Sequence, residues 1–299
     1  MKRIGVLCAL FLIGVSAIVM ARVPRAPSAL EIQQEIFAQK HEVASMRTAI
    51  PKDSTLRGFY IVVDPGHGDN DPGAIRTLVL EGNKKISIAE SAITFDLARR
   101  LVWNLARHGA SGVYKTLEDP PYSTRNDSYA FWHPCAPPPH MMDLKVLLPS
   151  SPYARTDLER ILSCRTEVVN QKVRRFGRRH VLFVSVHVDS TAPLTRGIRV
   201  YSFYGTHSYL STSIAYVAKQ NKMARVKRRG YEEIIFHSSM KRGYMVIDPR
   251  FNRAEDCVLV ETGNMRNNID LHFLSTAQGR ERVAEIISEG FIRYCKTQK

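Results

Sequence analysis

The sequence predicts a single α/β domain, with a twisted, mostly parallel sheet and helices on both of its faces. Short and nearly continuous apolar runs are bounded by turn-forming residues, and between these runs apolar residues recur at the spacing of a helix face. Strands that alternate with helices usually form a parallel sheet. Because such strands are covered on both sides, they are apolar throughout rather than at every second residue.

The individual elements follow from these patterns. Four runs are predicted to be strands, at residues 60–63, 181–186, 198–203 and 257–260. Helical spacing predicts four helices, which include residues 93–105, 158–173, 214–218 and 283–292. The chain of 299 residues is long enough for one or two domains, and these elements account for one.

The N-terminus has the features of an export signal. Lys2 and Arg3 precede an apolar run at residues 4–20, and Val19 and Ala21 provide small residues at the end of this run. This order predicts a signal peptide at residues 1–21 and a periplasmic or secreted protein. An uncleaved single-span anchor is the alternative, since the run is close to the lower length limit for crossing a bilayer.

We expect residues 22–57 to form an N-terminal helix and linker, and residues 58–299 to form the α/β domain. Residues 118–156 are rich in proline and lack periodicity, so they are predicted to be an insertion loop. A second metal site at His133, Cys135 and His140 within the insertion is disfavoured, because no cysteine pair accompanies them. After the signal peptide four cysteines remain, and they allow three full disulfide pairings: Cys135, Cys164, Cys257 and Cys295.

The chain is strongly basic, with a formal net charge of +15. Export argues against nucleic acid as a partner and favours anionic envelope polymers or lipid head groups. The alternative is that the charge only retains the protein at an acidic surface. Clusters of arginine and lysine at 174–179 and 227–229 are interpreted as solvated faces.

Three predicted strands run into residues that can carry chemistry. The first leads into a glycine-rich turn that contains His67, and the others stop at His187 and Glu261. Ligands of open α/β sheets bind beyond the carboxyl ends of the strands, so these residues are expected at one edge. Their separation along the chain matches no compact metal motif.

These residues also resemble a known family. Residues 61–68, followed by Asp71-Pro72-Gly73-Ala74, resemble the opening signature of the zinc N-acetylmuramoyl-L-alanine amidases of bacterial cell walls. Later pieces resemble that family in the same order, over residues 58 to about 296: Glu90 before the helix at 93–98, Arg165 with Asn170, residues 183–187 and residues 258–263.

The resemblance implies a site for one Zn²⁺ ion. His67, Glu90 and His187 are the implied ligands, and such a set leaves a fourth position for water. Glu261 is the implied catalytic residue, which transfers a proton from water to the leaving amine. Asp64 is expected to support the turn rather than to bind metal. The implied substrate is peptidoglycan, cut between N-acetylmuramic acid and L-alanine for wall remodelling or daughter-cell separation.

The sequence departs from the family pattern at four positions. Ser91, Leu117, Asp189 and Asn264 stand where the family usually has lysine, arginine, asparagine and phenylalanine. None of these changes replaces an implied metal ligand, so they bear on substrate contacts and regulation. A blocking role for the insertion is a hypothesis, since the family sometimes carries such a segment before its third strand.

Two other functions fit the same residues. A zinc peptidase could trim the stem peptide with the same metal chemistry, and a wall-binding protein would need no catalysis. The sequence also leaves open whether a protein activator is required. A monomer is the default expectation, and the membrane is expected as a partner only if the signal segment stays uncleaved.

Overall fold

The computed structural model describes most of the predicted catalytic domain. The described residues are 52–68, 71–79, 85–117, 157–203, 208–224, 226–227, 230–231, 235–238 and 242–298. The predicted signal peptide, the predicted N-terminal helix and the insertion beyond Leu117 lie outside these residues. Predictions for His133, Cys135 and His140 therefore stay predictions. Among the described residues, no helix is both long and apolar enough to cross a bilayer.

The strands of the domain are short, as expected for a small α/β protein. They are β1 (Tyr60–Asp64), β2 (Ile75–Val79), β3 (Lys85–Ala89), β4 (Gly112–Lys115), β5 (Val181–Asp189), β6 (Arg199–Phe203), β7 (Val226–Lys227), β8 (Gly230–Tyr231), β9 (Ile235–Ser238) and β10 (Asp256–Asn264).

Five α-helices accompany these strands in the described part of the chain. They are α1 (Glu90–Arg107), α2 (Asp157–Phe176), α3 (Tyr209–Gln220), α4 (Asn268–Ser275) and α5 (Ala277–Thr297). Two 3-10 helices, Arg178–His180 and Arg242–Ile247, precede β5 and β10.

Six strands form the central sheet, in the order β4-β1-β5-β10-β6-β9. The strands β4, β1, β5 and β10 are parallel, whereas β6 runs antiparallel to β10 and β9 runs parallel to β6. The prediction of a single α/β domain with a mostly parallel sheet is therefore confirmed. The predicted strand at 198–203 is present, but its direction is reversed relative to its neighbour β10.

Helices cover both faces of the sheet. On one face, Val63, Val184 and Val258 pack in a buried cluster that includes residues of α1, α3, α4 and α5. On the other face, Val62 and Phe183 pack with residues of α2 and of the 3-10 helix before β10. Neighbouring residues of one strand thus lie in different clusters, because side chains alternate across a strand. Both clusters contain fully buried apolar residues.

The chain enters the domain at the edge where the parallel strands begin. The amide of Lys52 donates to the carbonyl of Arg107 at 2.6 Å, and the amide of Leu56 donates to that of His108 at 2.9 Å. Leu56 is fully buried in the core. Packing therefore starts a few residues before Gly58, inside the stretch that the sequence assigned to the linker.

Candidate metal centre

His67 lies in the turn that follows β1, at the edge where the parallel strands end. Its Nδ1 atom is 2.7 Å from Oδ2 of Asp71, whose other oxygen accepts the amide of Gly73 at 2.9 Å. Backbone hydrogen bonds of 2.9 and 3.0 Å between Gly68 and Asp71 close this turn. The turn therefore holds the imidazole with its other nitrogen, Nε2, aimed at Glu90.

Glu90 is the first residue of α1 and is buried. Its Oε2 atom accepts the amide of Ala74 at 2.9 Å, and its Oε1 atom accepts the amide of Val188 at 2.8 Å. A carboxylate is also favoured here by the positive end of the helix dipole. These contacts fix the carboxylate between the turn after β1 and the end of β5.

His187 completes the cluster from β5. Its Nδ1 atom lies 3.2 Å from Oε1 of Glu90, and Nε2 of His67 lies 3.2 Å from the same oxygen. One atom from each of the three side chains lies within 4.8 Å of the others. Two imidazole nitrogens and a carboxylate oxygen at this separation form a donor set that suits a divalent metal ion such as zinc.

The electrostatics of the cluster favour a cation. Burial lowers the pKa of His67, but hydrogen bonds with Asp71 and Glu90 outweigh burial and raise this pKa to about 10. Burial raises the pKa of Glu90, but hydrogen bonds from His187 and His67 outweigh it and lower the pKa. The carboxylates therefore attract positive charge to the space between the two rings.

Glu261 lies beside this cluster on β10. In the sheet it is the direct partner of His187 on β5 and of Arg199 on β6. Side chains of paired residues on neighbouring strands point to the same face, about 4.8 Å apart. The hydroxyl of Thr262 donates to the carbonyl of His187 at 2.8 Å and fixes this pairing. Glu261 is half-buried as a residue, and its Oε2 atom is buried from solvent beside the cluster.

Both strands continue past these residues. β5 ends at Asp189 and β10 ends at Asn264, so His187 and Glu261 are not the last residues of their strands as the sequence suggested. The strands stay paired because a register shift between Glu261 and Asn264 brings Asn264 opposite Asp189. The site is still close to the carboxyl edge of the sheet.

Asp64 supports the site from beneath. It is fully buried, and its carboxylate accepts hydrogen bonds from Thr116, Ser185 and Arg165. Burial raises the pKa of Asp64, but the charge of Arg165 and the two hydroxyls outweigh burial and lower it. The same guanidinium nitrogen of Arg165 donates to the carbonyl of Gly66. Arg165 therefore connects α2 to the turn that carries His67.

The loop after β5 is tied to β10 by one of the residues that departs from the family pattern. The side-chain amide of Asn264 donates to the carbonyls of Ala192 at 2.9 Å and Thr195 at 2.8 Å. The amide of Met265 donates to the carbonyl of Asp189 at 2.7 Å. A side chain without an amide donor at this position would lose both hydrogen bonds, so Asn264 fixes the loop beside the site.

The structure thus brings His67, Glu90 and His187 together and places Glu261 next to them. Their roles as ligands and catalyst stay predictions. Sequence reasoning missed the contact of Asp71 with His67. A carboxylate four residues after a histidine in a glycine-rich turn was the available signal. The sequence analysis noted Arg165 only for its spacing from Asn170. Its contact with Asp64, 101 residues away in sequence, cannot be predicted without the fold.

The fold and the site together define the class: an α/β domain with a candidate metal centre at the carboxyl edge of its parallel strands. Residues 61–293 match the model of the N-acetylmuramoyl-L-alanine amidase family. The chain therefore belongs to that family. Among curated proteins, none matches the sequence.

Solved structures with the same fold include several amidases. The CwlD amidase from Clostridioides difficile, in complex with the GerS lipoprotein, has a TM-score of 0.52 and 18% identity and covers 80% of this chain and 99% of its own. The apo form of Ami1 from Mycobacterium abscessus has a TM-score of 0.50 and 16% identity, with coverage of 79% and 98%. The catalytic domain of CwlV from Paenibacillus polymyxa has a TM-score of 0.50 and 19% identity, with coverage of 80% and 98%. At these identities the similarity concerns the fold.

Proposed function

We propose that this chain is a zinc-dependent N-acetylmuramoyl-L-alanine amidase. It hydrolyses the amide between the lactyl group of N-acetylmuramic acid and the L-alanine of the stem peptide in peptidoglycan. The observation that supports this proposal is the approach of the ligand atoms of His67, Glu90 and His187 to within 4.8 Å of one another, in a chain of the amidase family.

The residues present fit a zinc ion. Zinc favours imidazole and carboxylate donors, and a catalytic site has three protein ligands. Asp71 accepts the Nδ1 proton of His67, and such a carboxylate behind a histidine ligand fixes its tautomer and raises its basicity. His67 would bind through Nε2, His187 through Nδ1 and Glu90 through Oε1. When bound, zinc supplies a Lewis acid that polarises the scissile carbonyl and lowers the pKa of water.

Glu261 carries the proton in this proposal. Its carboxylate accepts a proton from the attacking water and returns it to the amide nitrogen as the carbon–nitrogen bond breaks, so the amine leaves neutral. The position of Glu261 next to His187 in the sheet supports this role.

The proposed location is outside the cytoplasm, as the signal sequence at residues 1–21 predicts and as a peptidoglycan substrate requires. We also propose that activity depends on a protein partner. The CwlD structure is a complex with the GerS lipoprotein, and that amidase shares the fold of this chain. By analogy, we propose that the partner of this chain contacts the catalytic domain.

The test is mass analysis of peptidoglycan digested with the purified protein, with and without a zinc chelator. Glu261→Gln is the catalytic variant. Glu255→Gln is its matched control, since Glu255 precedes the other end of the same strand and pairs with Arg178 on the surface. Intact stem peptides released only with zinc, by the wild type and Glu255→Gln but not by Glu261→Gln, support the proposal.

Other outcomes assign the chain differently. Shortened stems with the same dependence on zinc and on Glu261 would make it a peptidase that trims the stem. Unaltered peptidoglycan that nevertheless binds the protein would make it a wall-binding protein, provided that addition of the envelope fraction does not restore cleavage. Release of stem peptides by Glu261→Gln at the wild-type rate would exclude Glu261 as the residue that transfers the proton.

A further inference from the structure

Exposed arginines cover the edge of the sheet opposite the candidate metal centre. Two lie in the last turn of α2, two in the 3-10 helix before β5, and two in the turn before β10. We name this surface the arginine edge, and it consists of Arg174, Arg175, Arg178, Arg179, Arg250 and Arg253. It spans the segments next to the N-terminal ends of the two central strands.

These three segments form one continuous surface. The side chain of Asn170 on α2 donates to the carbonyl of Phe251 at 2.8 Å and accepts the amide of Arg253 at 2.9 Å. Arg178 lies 3.4 Å from the carboxylate of Glu255. The turn before β10 is therefore fixed against both α2 and the 3-10 helix, so the arginines keep their mutual spacing.

Positive charge is in excess on this surface. Three carboxylates pair with three of the six arginines: Glu167 with Arg174, Glu255 with Arg178 and Asp248 with Arg250. The paired arginines stay exposed, at 58%, 64% and 57% of the side chain. The pairs of Arg174 and Arg178 join carboxylates that are themselves partly exposed, and such pairs contribute little stability, so these two guanidinium groups can exchange a carboxylate for a phosphate. The carboxylate of Asp248 is buried, so Arg250 keeps its partner.

Helix electrostatics explain only part of the cluster. Basic residues in the last turn of a helix interact favourably with its dipole, and this accounts for Arg174 and Arg175. It does not account for Arg179 or Arg253, which lie outside any α-helix and are exposed. Their position beside the other arginines indicates a surface that faces an anionic partner.

An exposed aromatic ring lies within the arginine edge. Phe251 is 39% exposed, and the guanidinium carbon of Arg250 lies 5.6 Å from the centre of its ring. Apolar rings flanked by arginines are typical of surfaces that lie on a bilayer, where cations meet phosphates and the ring reaches the acyl boundary. A soluble polyanion offers phosphates but no apolar layer. The exposed ring of Phe251 therefore favours a bilayer over a soluble polyanion as the partner.

The chain also enters the domain at this edge. His180, next to Arg179, donates from Nδ1 to the carbonyl of Gly58 at 3.1 Å, and Lys52 is bound to the end of α1. The apolar run at residues 4–20, which the sequence predicts to enter a membrane during export, precedes this point. The described part of the chain therefore begins on the same side of the domain as the arginine edge.

We propose that the arginine edge docks on bilayers that contain anionic phospholipid, with Phe251 entering the head-group layer. His187 lies seven residues after His180 along β5, or roughly 23 Å away at about 3.3 Å per residue. Docking in this way orients the candidate metal centre away from the bilayer, towards the wall if the proposed amidase function holds. The docking itself does not depend on that function.

The test measures partitioning of the full chain onto vesicles of phosphatidylcholine, with and without phosphatidylglycerol. The readout is the ratio of the two partition coefficients, which cancels any insertion of the N-terminal apolar run. Neutralising one basic residue near an anionic bilayer weakens binding roughly fivefold. The variant Arg174→Gln/Arg175→Gln/Arg178→Gln/Arg179→Gln is therefore expected to lower the ratio by more than about tenfold.

A matched variant removes the same charge at the metal-centre edge, through glutamine at Arg196, Lys219, Lys222 and Arg266, which are all exposed. It is expected to keep the ratio within about threefold of the wild type, because these residues face away from the bilayer. Circular dichroism melting of both variants verifies folding. An equal loss in both variants, or no loss in the first, would overturn the proposal.

Phe251→Ala separates a lipid surface from a soluble polyanion. It is expected to weaken binding to phosphatidylglycerol vesicles severalfold while leaving binding to inorganic polyphosphate unchanged. Unchanged binding to both would assign the arginine edge to soluble anionic polymers and overturn docking on the bilayer.

Discussion

The carboxylate of Asp71 lies 2.7 Å from Nδ1 of His67, four residues earlier in the same turn. This contact leaves Nε2 of His67 as the nitrogen that faces Glu90. Removal of the carboxylate behind a histidine ligand typically lowers metal affinity by about 10- to 100-fold. We therefore expect Asp71→Asn to weaken zinc binding by that factor, as measured by competition with a chromophoric chelator.

The chain offers a matched control for this change. Asp53 lies 2.7 Å from Nδ1 of His108, in an aspartate–histidine pair of the same geometry at the opposite edge of the sheet. Asp53→Asn is expected to leave zinc affinity unchanged. Equal affinities for the wild type and Asp71→Asn would show that the turn alone orients His67.

Gly73 leaves room for two of the candidate ligands. A Cβ atom at this position would lie 2.7 Å from Oε2 of Glu90 and 2.8 Å from the ring of His67, closer than side chains tolerate. We expect Gly73→Ala to displace both side chains, lower zinc affinity by more than about tenfold and abolish hydrolysis. Isothermal titration with zinc and mass analysis of digests measure the two effects.

Backbone strain has to be separated from this clash, because φ of Gly73 is +66°. Gly58 has φ of +94° and no atom within 4 Å of an added Cβ. Gly58→Ala thus introduces strain of about 1–2 kcal/mol without a clash. It should lower the melting temperature but keep zinc affinity. A parallel loss of zinc binding in Gly58→Ala would attribute the Gly73→Ala effect to general destabilisation.

Arg165 and Asp64 are expected to act as a unit. Their ion pair is buried on both sides, at a distance of 2.8 Å. Arg165→Met leaves the Asp64 carboxylate buried without its cation, and such a change costs about 3–5 kcal/mol. Urea unfolding should show this loss, and zinc affinity should fall as well, because Gly66 next to His67 loses its donor.

A double-mutant cycle tests the coupling between the two residues. The variant Asp64→Asn/Arg165→Met should be less destabilised than the sum of the single changes. Arg165→Met alone leaves the charge of Asp64 unpaired, and Asp64→Asn removes that charge. Strict additivity of the unfolding free energies would mean that the pair makes no specific contribution.

Much of this architecture was predictable because local patterns determine it. The apolar runs of β1, β5 and β10 and the four-residue spacing in α1 are visible in the sequence, and so are the glycines around His67. The short hairpin of β2 and β3 and the helix α4 were missed. β2 and β3 have five residues each, and α4 has eight, so their periodicity is too brief to distinguish them from loops.

Direction and long-range contacts were not accessible from local patterns. The apolar run that forms β6 predicts a strand but not its direction. The direction depends on how β6 pairs with β10, which is distant in sequence. The ends of the predicted strands located His67, His187 and Glu261, and the family signature added Glu90. The supporting contacts of Asp71 and Arg165 depend on the closed fold. The departures at Asp189 and Asn264 became interpretable only when their backbone partners were known.

A buried charge cluster between α1 and α5 makes the stability of the domain dependent on pH. Asp96 accepts hydrogen bonds from Arg100 at 2.7 Å and from Arg280, and all three side chains are buried. Burial raises the pKa of Asp96, but the charges of Arg280 and Arg100 outweigh burial and lower it. Removing one partner of such a cluster costs about 3 kcal/mol, so Asp96→Asn should be destabilised by that amount at pH 7.

The pH dependence has a definite sign. Because the pKa of Asp96 is lower in the folded chain than the unfolded value of about 3.9, its contribution is complete above pH 4 and is lost as the pH falls through the folded pKa. The difference in unfolding free energy between the wild type and Asp96→Asn should therefore shrink below about pH 4. Glu285→Gln breaks an exposed pair with Arg282 on α5 and should change stability by less than about 1 kcal/mol at any pH. A difference between the wild type and Asp96→Asn that stays constant from pH 7 to pH 3 would show that the carboxylate's charge does not stabilise the contact between α1 and α5.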